Sequence, residues 1–268
     1  MALPLSIFVI TLNEAARIGA TLDAAATLAD DVIVADSGST DETVAIARGY
    51  GAQVHHHPFE GFGQQKRFAE DRCRHDWLLN VDADEIITPA LADEIRGLFA
   101  DGEPTPALYE IRILNVYPGD TRPRPFANDY RVVRLYHREA GRYRDHTVYD
   151  RVEPHGAPAI HRLSAPIHHF PLTDFEQMVA KANRHSGHEI ARVAAKSRTV
   201  LKLRLVTEFP LVFLKVWLLR RHILGGWKGF VFAMNTAWMR TLRIAKALEY
   251  KSSAADDQDG RTRSKKSR

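Results

Sequence analysis

The sequence predicts an α/β fold in which a largely parallel sheet is covered by helices, followed by a helical C-terminal region. Short apolar, β-branched runs alternate with segments of helical periodicity over the N-terminal part, which is typical of parallel strands joined by helical crossovers. The chain has 268 residues, of which 45% are hydrophobic and 26% charged, so it can bury a sizeable core. Its single cysteine, Cys73, excludes an intrachain disulfide and a cysteine-rich metal site.

The first elements show both signals clearly. Residues 5–11 form a continuous apolar run, rich in β-branched residues, that is too short for a helix, which favours a buried parallel strand. Apolar residues then recur at helical spacing over 14–28, with Asn13 as the expected N-cap. The same signals predict strands at 31–35, 52–55 and 77–81 and helices at 43–48, 63–73 and 89–99. Thr40 or Asp41 is the expected cap of the helix at 43–48, and Thr88 is the expected cap of the helix at 89–99.

Beyond residue 101, prolines interrupt the pattern, and this part is predicted to be antiparallel or mixed. Strand-like runs remain at 108–115 and 130–136, whereas 137–170 is polar, lacks periodicity and is predicted to be a loop-like region. A helix is predicted over 174–195. The expected domains are 1–172, divided into halves 1–100 and 101–172, then a helical region 173–250 and a disordered tail 251–268.

The helical region 173–250 combines aromatic residues with cations. No run reaches the roughly 18 to 20 apolar residues that a spanning helix needs. The interrupting cations are Lys215, Arg220, Arg221, His222, Lys228 and Arg240. Trp and Phe beside basic residues favour helices that lie on an anionic membrane surface. The absence of a charged leader and the single cysteine predict a cytoplasmic location, and the basic tail lacks the aromatic residues that nucleic-acid binding would use.

Three carboxylates follow the fourth predicted strand, at Asp82, Asp84 and Glu85. Asp82 and Asp84 are two residues apart, so in an extended segment their side chains lie on one face and can share a ligand. Two such carboxylates repel each other unless a cation lies between them, and Mg²⁺ or Mn²⁺ that also binds phosphate oxygens is the usual solution. The alternative is that they form surface turns and cap the helix that begins near residue 89.

Two further loops are expected at the same edge of the sheet. Residues 11–14 follow the first strand and residues 36–41 follow the second, and parallel strands present their carboxyl ends on one side. Small hydroxyl residues and glycine let backbone N–H groups approach a ligand, and Asp36 can accept hydrogen bonds from a base or ribose. Ordinary turn and capping chemistry is the alternative. Neither the dinucleotide-binding nor the P-loop glycine motif occurs.

These motifs, in this order, resemble family 2 glycosyltransferases with the GT-A fold. They are T-L-N-E at 11–14, A-D-S-G-S-T-D-E-T at 35–43, the glycine-to-lysine segment 63–66, N-V-D-A-D-E at 80–85, R-V-V-R-L-Y at 131–136 and I-H-H-F at 167–170. The similarity covers roughly residues 4–250 and is greatest to WaaE-type lipopolysaccharide core glycosyltransferases. It implies a Rossmann-like mixed sheet flanked by helices, with a nucleotide-binding half at 1–100 and an acceptor half at 101–172.

The resemblance also implies site residues. Those that would hold the nucleotide are Thr11, Asn13, Glu14, Asp36, Ser37, Lys66 and Asp82. Asp36 would recognise the base and Lys66 would lie near the diphosphate, while Asp84 would bind Mg²⁺ or Mn²⁺ directly. His169 would complete the metal or phosphate site, although a packed pair of His168 and His169 without a ligand is the alternative.

An inverting transfer requires a carboxylate that removes a proton from the acceptor hydroxyl. Similar sequences often carry V-H-E or V-H-D where this chain has Val148-Tyr149-Asp150, so Asp150 is the expected catalytic base, with Asp145 and His146 as a nearby rival.

The resemblance implies a metal-dependent enzyme that moves a sugar from a nucleotide-sugar to a lipid-linked saccharide. Lipopolysaccharide core or other cell-envelope glycan synthesis, on the inner face of the cytoplasmic membrane, is the expected setting. Two alternatives remain. The first is a non-catalytic nucleotide-sugar-binding protein, favoured by Tyr149 in place of histidine, and the second is a sugar nucleotidyltransferase, although no glycine-rich triphosphate loop is present.

Overall fold

The computed structural model describes residues 3–127, 129–147, 150–187 and 190–266, with side chains up to residue 252. The chain forms two compact units. The first consists of Met1–Val116, Thr121–Pro123 and Asn128–Pro171, and the second of Tyr117–Asp120, Arg124–Ala127 and Leu172–Arg268.

The described residues of the first unit form ten strands and four helices. The strands are β1 (Leu3–Thr11), β2 (Ala29–Asp36), β3 (Gln53–His56), β4 (Trp77–Asn80), β5 (Glu85–Ile87), β6 (Leu108–Asn115), β7 (Asp129–His137), β8 (Gly141–Tyr143), β9 (Val152–Pro154) and β10 (Ile160–His169). The helices are α1 (Ile18–Ala26), α2 (Thr43–Gly49), α3 (Phe62–Glu70) and α4 (Pro89–Leu98).

Eight of these strands form one mixed sheet in the order β3-β2-β1-β4-β7-β6-β10-β5, while β8 and β9 pair separately. Strands β1 to β4 are mutually parallel, as the alternation of strands and helices predicts. Strand β7 runs antiparallel to both β4 and β6, and β10 is parallel to β6, so the expected change to mixed pairing after residue 101 is confirmed.

The apolar strand β1 is buried on both faces. Ile7 packs on one side with Leu91 and Ile95 of α4, whereas its neighbour Phe8 packs on the other side with Ala69 of α3. Successive strand residues point to opposite faces, and both faces are covered by helices, so the strand needs a continuous apolar run instead of an alternating one.

Helix α1 begins later than the sequence predicts. Asn13 does not cap it: the residue adopts a left-handed φ of 55°, and the carbonyl of Glu14 accepts the N–H groups of Arg17 and Ile18 in a turn before the helix. Asparagine tolerates this conformation better than most residues. Thr88 does cap α4, since its Oγ1 accepts the N–H of Leu91 at 3.2 Å.

The loop-like region predicted at 137–170 is wrong, because it contains β8, β9 and the ten-residue strand β10. Only Leu163 and Ile167 of β10 are fully buried, so the strand shows almost no hydrophobic pattern. Pairing with β6 on one side and β5 on the other creates this strand, and such long-range pairing is not visible in local sequence.

The second unit is helical. It contains α5 (Phe175–Ser186), α6 (Ile190–Ala194), α7 (Arg198–Leu214), a π-helical segment Lys215–Leu219, a 3₁₀ helix His222–Gly225 and α8 (Gly226–Lys266). The single helix predicted at 174–195 is two helices; α5 ends at Ser186, and a glycine, a weak helix former, follows. The backbone of α8 is helical to Lys266, whereas the sequence predicts disorder from 251. Across the described part of the chain, no helix is long and apolar enough to cross a membrane.

Candidate active site

A cavity of about 430 Å³ opens in the first unit where β1, β2 and β4 end. Its lining residues are Ile10, Thr11, Leu12, Glu14, Ser37, Phe59, Phe62, Lys66, Asp82, Ala83, Asp84, Asp150 and His169. Most of the residues expected from the sequence are therefore brought together, because the carboxyl ends of parallel strands meet at one edge of the sheet. Asn13 and Asp36 are the exceptions: neither lines the cavity.

The carboxylate of Asp82 lies between two cations. Lys66 Nζ is 3.1 Å from Asp82 Oδ1, and Arg134 Nη2 is 2.8 Å from Asp82 Oδ2. Burial by itself would raise the pKa of Asp82, but Arg134 and Lys66 outweigh this effect and hold the pKa well below its usual range. Both oxygens of Asp82 are thus engaged by the protein's own cations.

Arg134 reaches this site from the buried C-terminal half of β7 and also binds Glu85. Its Nη2 is 2.8 Å from Glu85 Oε1, and its Nη1 donates to the side-chain oxygen of Asn80. Glu85 is fully buried, and its Oε2 accepts the N–H of Asp82 at 3.0 Å. Burial raises the pKa of Glu85, although Arg134 opposes the shift. Arg134 therefore links the end of β4 at Asn80 to the acidic turn, residues 82–85.

Sequence reasoning missed this network. In the sequence, R-V-V-R-L-Y at 131–136 is visible only as part of the family resemblance, and no local pattern indicates a role for Glu85. The available signal is Arg134 within the short run V-V-R-L-Y at 132–136, because an arginine that is buried in a sheet needs a carboxylate partner.

The extended-segment argument for Asp82 and Asp84 is wrong. Residues 82–85 form a turn in which the N–H of Glu85 donates to the carbonyl of Asp82 at 2.9 Å. The two carboxylates consequently meet different partners: Asp82 meets Lys66 and Arg134, whereas Asp84 Oδ2 lies 3.2 Å from His169 Nε2.

His169 ends β10 and is held at both ring nitrogens. Its Nδ1 lies 2.8 Å from Asn115 Oδ1, and its Nε2 faces Asp84. Burial lowers the pKa of His169, but the hydrogen bond and charge of Asp84 reverse this, and the net pKa is raised. His168 points to the opposite face of the strand, so the two histidines do not form a packed pair.

Asp84 and His169 provide a carboxylate oxygen and an imidazole nitrogen that face the same cavity. Within the described residues, no group of three or more His, Cys, Asp or Glu side chains could hold a metal ion. Mg²⁺ and Mn²⁺ in phosphate sites commonly take only one or two protein ligands and complete their coordination with phosphate oxygens and water. The pair fits that role.

Lys66 connects the acidic turn to Asp150. It is almost fully buried on α3, and its Nζ lies 3.1 Å from Asp150 Oδ2 as well as 3.1 Å from Asp82. Burial by itself would lower the pKa of Lys66, but the carboxylates of Asp82 and Asp150 outweigh this effect, and the net pKa is raised. Lys66 is therefore charged at neutral pH. Asp145 and His146 are not among the cavity residues, and Val148 and Tyr149 lie outside the described residues.

The loops after β1 and β2 bind each other. The N–H of Asn13 donates to Ser39 Oγ at 2.8 Å, and Asn13 Oδ1 accepts the N–H of Thr40 at 2.8 Å. Asp36 accepts the N–H groups of Gly38 at 2.9 Å and Ser39 at 3.0 Å. These are the turn interactions that the alternative interpretation anticipated, and the nucleotide-binding roles of Asn13 and Asp36 stay predictions.

Two lining residues of these loops have polar atoms near the cavity. Thr11 Oγ1 is buried and, in the part of the chain that the structure describes, has no hydrogen-bond partner. Glu14 pairs with Arg17 at 2.5 Å, yet burial is the larger effect and raises the pKa of Glu14. An unpaired buried hydroxyl at a cavity wall is a ready hydrogen-bonding group for a ligand.

The chain is similar to known proteins along most of its length. Residues 6–156 match the family model for glycosyl transferase family 2. A Rickettsia bellii protein named as an uncharacterized glycosyltransferase is 39% identical over 253 residues, which cover 91% of this chain and 86% of that protein. The lipopolysaccharide core biosynthesis glycosyltransferase LpsC of Rhizobium meliloti is 30% identical over 91% of this chain and 92% of its own length.

Among solved structures, the glucosyl-3-phosphoglycerate synthase of Mycobacterium tuberculosis in complex with Mn²⁺, UDP and glucosyl-3-phosphoglycerate is 27% identical, with a TM-score of 0.33. That match covers 43% of this chain and 44% of the synthase chain. The family model spans more than half of the sequence, and relatives at 30% identity or more span most of it. The chain therefore belongs to glycosyl transferase family 2.

Proposed function

We propose that this enzyme transfers a sugar, with inversion, from a nucleotide-sugar to a lipid-linked saccharide. The observation that carries the proposal is a row of charged groups in one cavity. Lys66 contacts Asp150 on one side and Asp82 on the other, and the pair Asp84 and His169 lines the same cavity. A carboxylate suited to proton removal thus shares a cavity with groups suited to a diphosphate and its metal ion.

The donor would be held by residues of three strand ends. Thr11 and Ser37 offer hydroxyl and backbone groups at the cavity wall, and the ammonium of Lys66 would attract the diphosphate. Asp84 and His169 would hold Mg²⁺ or Mn²⁺, whose charge would stabilise the departing nucleoside diphosphate. Asn13, Glu14 and Asp36 would shape the nucleotide end, with Asp36 nearest the base, and Asp82 would face the ribose.

Asp150 would act on the acceptor. As the acceptor hydroxyl oxygen bonds to the anomeric carbon, the carbon–oxygen bond to the diphosphate breaks, and the hydroxyl proton passes to the Asp150 carboxylate. Asp150 is about half exposed while its partner Lys66 is almost fully buried, so the carboxylate is open to a saccharide that enters from solvent. The products are the glycosylated acceptor and the nucleoside diphosphate.

The proposed acceptor is a saccharide of the lipopolysaccharide core or of another cell-envelope glycan. Its support is the 30% identity, along most of both chains, to a relative that is named for lipopolysaccharide core biosynthesis. A lipid-linked acceptor would require the enzyme to work at a membrane surface, and the second unit has a suitable segment.

That segment, residues 211–230, is called the apolar tip here. Its exposed large apolar side chains are Leu211, Leu214, Leu218, Leu219, Ile223, Leu224, Trp227 and Phe230. Lys215, Arg220 and Arg221 are exposed in the same segment. Apolar residues with Trp and flanking cations suit the interface of an anionic membrane, so we propose peripheral binding at the cytoplasmic face of the inner membrane.

The transfer is tested with purified enzyme and a panel of UDP-, GDP-, ADP- and dTDP-sugars, with Mn²⁺ or with EDTA. The acceptor is the glycolipid fraction extracted from cells that lack this gene. We expect metal-dependent release of one nucleoside diphosphate and sugar incorporation into the extract. Donor binding without any release would refute transfer, and pyrophosphate release from a nucleoside triphosphate and a sugar phosphate would indicate a nucleotidyltransferase.

The proposed base is tested by comparing Asp150→Asn with Asp145→Asn. Loss of the Asp150 carboxylate should lower turnover about 100-fold or more while donor affinity is kept, because general-base catalysis commonly contributes that much. Asp145→Asn should leave turnover near the wild-type value. The reverse pattern would move the base to Asp145.

Membrane binding is tested by co-sedimentation with vesicles of phosphatidylglycerol or phosphatidylcholine. Leu219→Glu in the tip should weaken binding to anionic vesicles about tenfold or more, since one buried leucine contributes about 1.5 to 3 kcal/mol. Val206→Glu is the matched control, because Val206 is as exposed, at 75% against 79%, but lies outside the tip. Equal effects of both changes would refute the tip as the binding surface.

A further inference from the structure

The cavity has an aromatic wall that the nucleotide-binding scheme does not use. Phe59 and Phe62 both line the cavity, yet they are 50% and 52% exposed. Their ring centroids are 5.0 Å apart and the ring planes are inclined by 76°, so the two rings form an edge-to-face pair. Half-exposed phenylalanine faces at the mouth of a cavity offer apolar contact area to a ligand.

This pair lies on the Asp150 side of the cavity. Phe62 is the first residue of α3, and Lys66, which lies 3.1 Å from both Asp150 and Asp82, is one turn later on the same face of that helix, so the contact that distinguishes the Asp150 side is made by Gly61. Between the two phenylalanines, Gly61 lies against the segment that leads to Asp150: a Cβ at Gly61 would be 2.4 Å from the Cα of Thr147. Gly61 and Thr147, three residues before Asp150, are therefore packed backbone against backbone.

The chemistry of the pair selects among possible ligands. Phenylalanine has no hydrogen-bonding group, and the negative face of its ring does not favour phosphate oxygens. The C–H groups on one face of a pyranose ring are slightly positive and apolar, so they match an aromatic face. The polar and acidic groups that suit a nucleotide, Thr11, Glu14 and Ser37, belong to the loops after β1 and β2 instead.

We propose that Phe59 and Phe62 form an acceptor subsite that stacks on a sugar ring of the acceptor saccharide and presents its hydroxyl to Asp150. The assignment rests on the proposed function for the identity of the saccharide as acceptor. It commits the aromatic wall to the acceptor and not to the nucleotide base of the donor.

The experiment uses the full chain and the variants Phe59→Ala, Phe62→Ala and Phe62→Tyr, with Phe126→Ala as control for loss of an exposed phenylalanine that does not line the cavity. The probes are the glycolipid extract from cells that lack the gene and the oligosaccharide released from that extract. Acceptor KM is measured at saturating donor, donor affinity is measured by calorimetry, and oligosaccharide binding is measured by saturation-transfer NMR.

We expect each alanine variant to raise the acceptor KM about tenfold and to lose the saturation transfer, because one aromatic contact changes affinity by up to about that factor. Donor affinity should change less than about twofold, and Phe62→Tyr, which keeps the ring, should behave like the wild type. This variant also keeps the test valid if Phe62→Ala fails to fold.

A fall in donor affinity with an unchanged acceptor KM would assign the pair to the nucleotide and overturn the proposal. Unchanged values for both substrates would overturn it as well. If the wild type transfers no sugar but its oligosaccharide signal still depends on the two phenylalanines, the proposed function fails and the saccharide subsite stands. If the wild type neither transfers sugar nor binds the oligosaccharide, both fail.

Discussion

Replacement of Arg134 by methionine should destabilise the first unit strongly, because it leaves buried carboxylates without their cation. Methionine keeps an unbranched apolar stem of similar length, so the main loss is the guanidinium group. That group binds Asp82 and Glu85 at 2.8 Å each and also donates to Asn80. Asp82 retains Lys66 as a partner, whereas Glu85 loses the cation that faces it.

The magnitude follows from these distances. At 2.8 Å and an effective dielectric constant of about 20, the attraction between Arg134 and Glu85 amounts to about 6 kcal/mol before the cost of removing both charges from water. Removal of one partner of a buried pair commonly costs about 3 to 5 kcal/mol, and we expect a loss of this size in the free energy of unfolding at pH 7.

Protonation of Glu85 limits this cost at lower pH. Burial already raises the pKa of Glu85 above its unfolded value, and loss of Arg134 would raise it further. A carboxyl group with a raised pKa in the folded state gains stability as pH falls through that pKa. The penalty of Arg134→Met should therefore shrink between pH 7 and pH 5, and Glu85→Gln should relieve part of it at pH 7.

The assay is urea unfolding followed by far-ultraviolet circular dichroism, with the wild type, both single variants and the double variant. Arg162→Met is the matched control, because Arg162 pairs with Glu110 in the same sheet but is largely exposed, and such pairs contribute less than about 1 kcal/mol. An Arg134→Met protein within about 1 kcal/mol of the wild type, or an additive loss in the double variant, would refute the reasoning.

Three further predictions concern other parts of the molecule. Asp84→Asn should weaken Mn²⁺ binding in the presence of UDP at least about tenfold by calorimetry while the melting temperature of the free protein stays close to that of the wild type. Asn13→Ala should lower the free energy of unfolding about 1 kcal/mol more than Asn13→Gly in urea titrations, since both lose the bond to Thr40 but only alanine resists the positive φ. Burial lowers the pKa of His222, whose Nδ1 lies 2.6 Å from the Tyr117 hydroxyl, to about 4. Because its folded pKa is below its unfolded pKa, stability is fully present above about pH 6.5 and falls as pH drops toward 4; a loss of about 2 kcal/mol by pH 5 should be absent in His222→Gln.

The parts of the fold that sequence could predict are those encoded locally. The strand β1 was visible because a strand covered on both faces must be apolar at every position, and the position of Thr88 before a proline identified the start of α4. The edge shared by residues 11–14, 36–41 and the acidic turn also followed from local signals, because parallel strands fix where their carboxyl ends meet.

The parts that sequence could not predict depend on partners far along the chain. Glu85 and Arg134 are 49 residues apart, and neither residue alone indicates that the other neutralises it. Asn13 has the residue type of an N-cap, yet it binds Ser39 and Thr40 of the neighbouring loop instead of its own helix. In both cases tertiary hydrogen bonds override a local preference.

The two aspartates of the D-x-D spacing show why a motif gives the location of a site more securely than the role of each residue. In the turn at 82–85, Asp82 has one oxygen near Lys66 and the other near Arg134, so its charge is neutralised inside the protein. Asp84 faces His169 and the cavity, with the guanidinium of Arg17 at 3.7 Å. A divalent cation would compete for Asp82 with two buried cations at 3.1 and 2.8 Å, whereas at Asp84 it would meet one more distant guanidinium, that of Arg17 at 3.7 Å. We therefore propose Asp84 and not Asp82 as the metal ligand, on the basis of an asymmetry that arises from Lys66 and Arg134, which lie outside the motif.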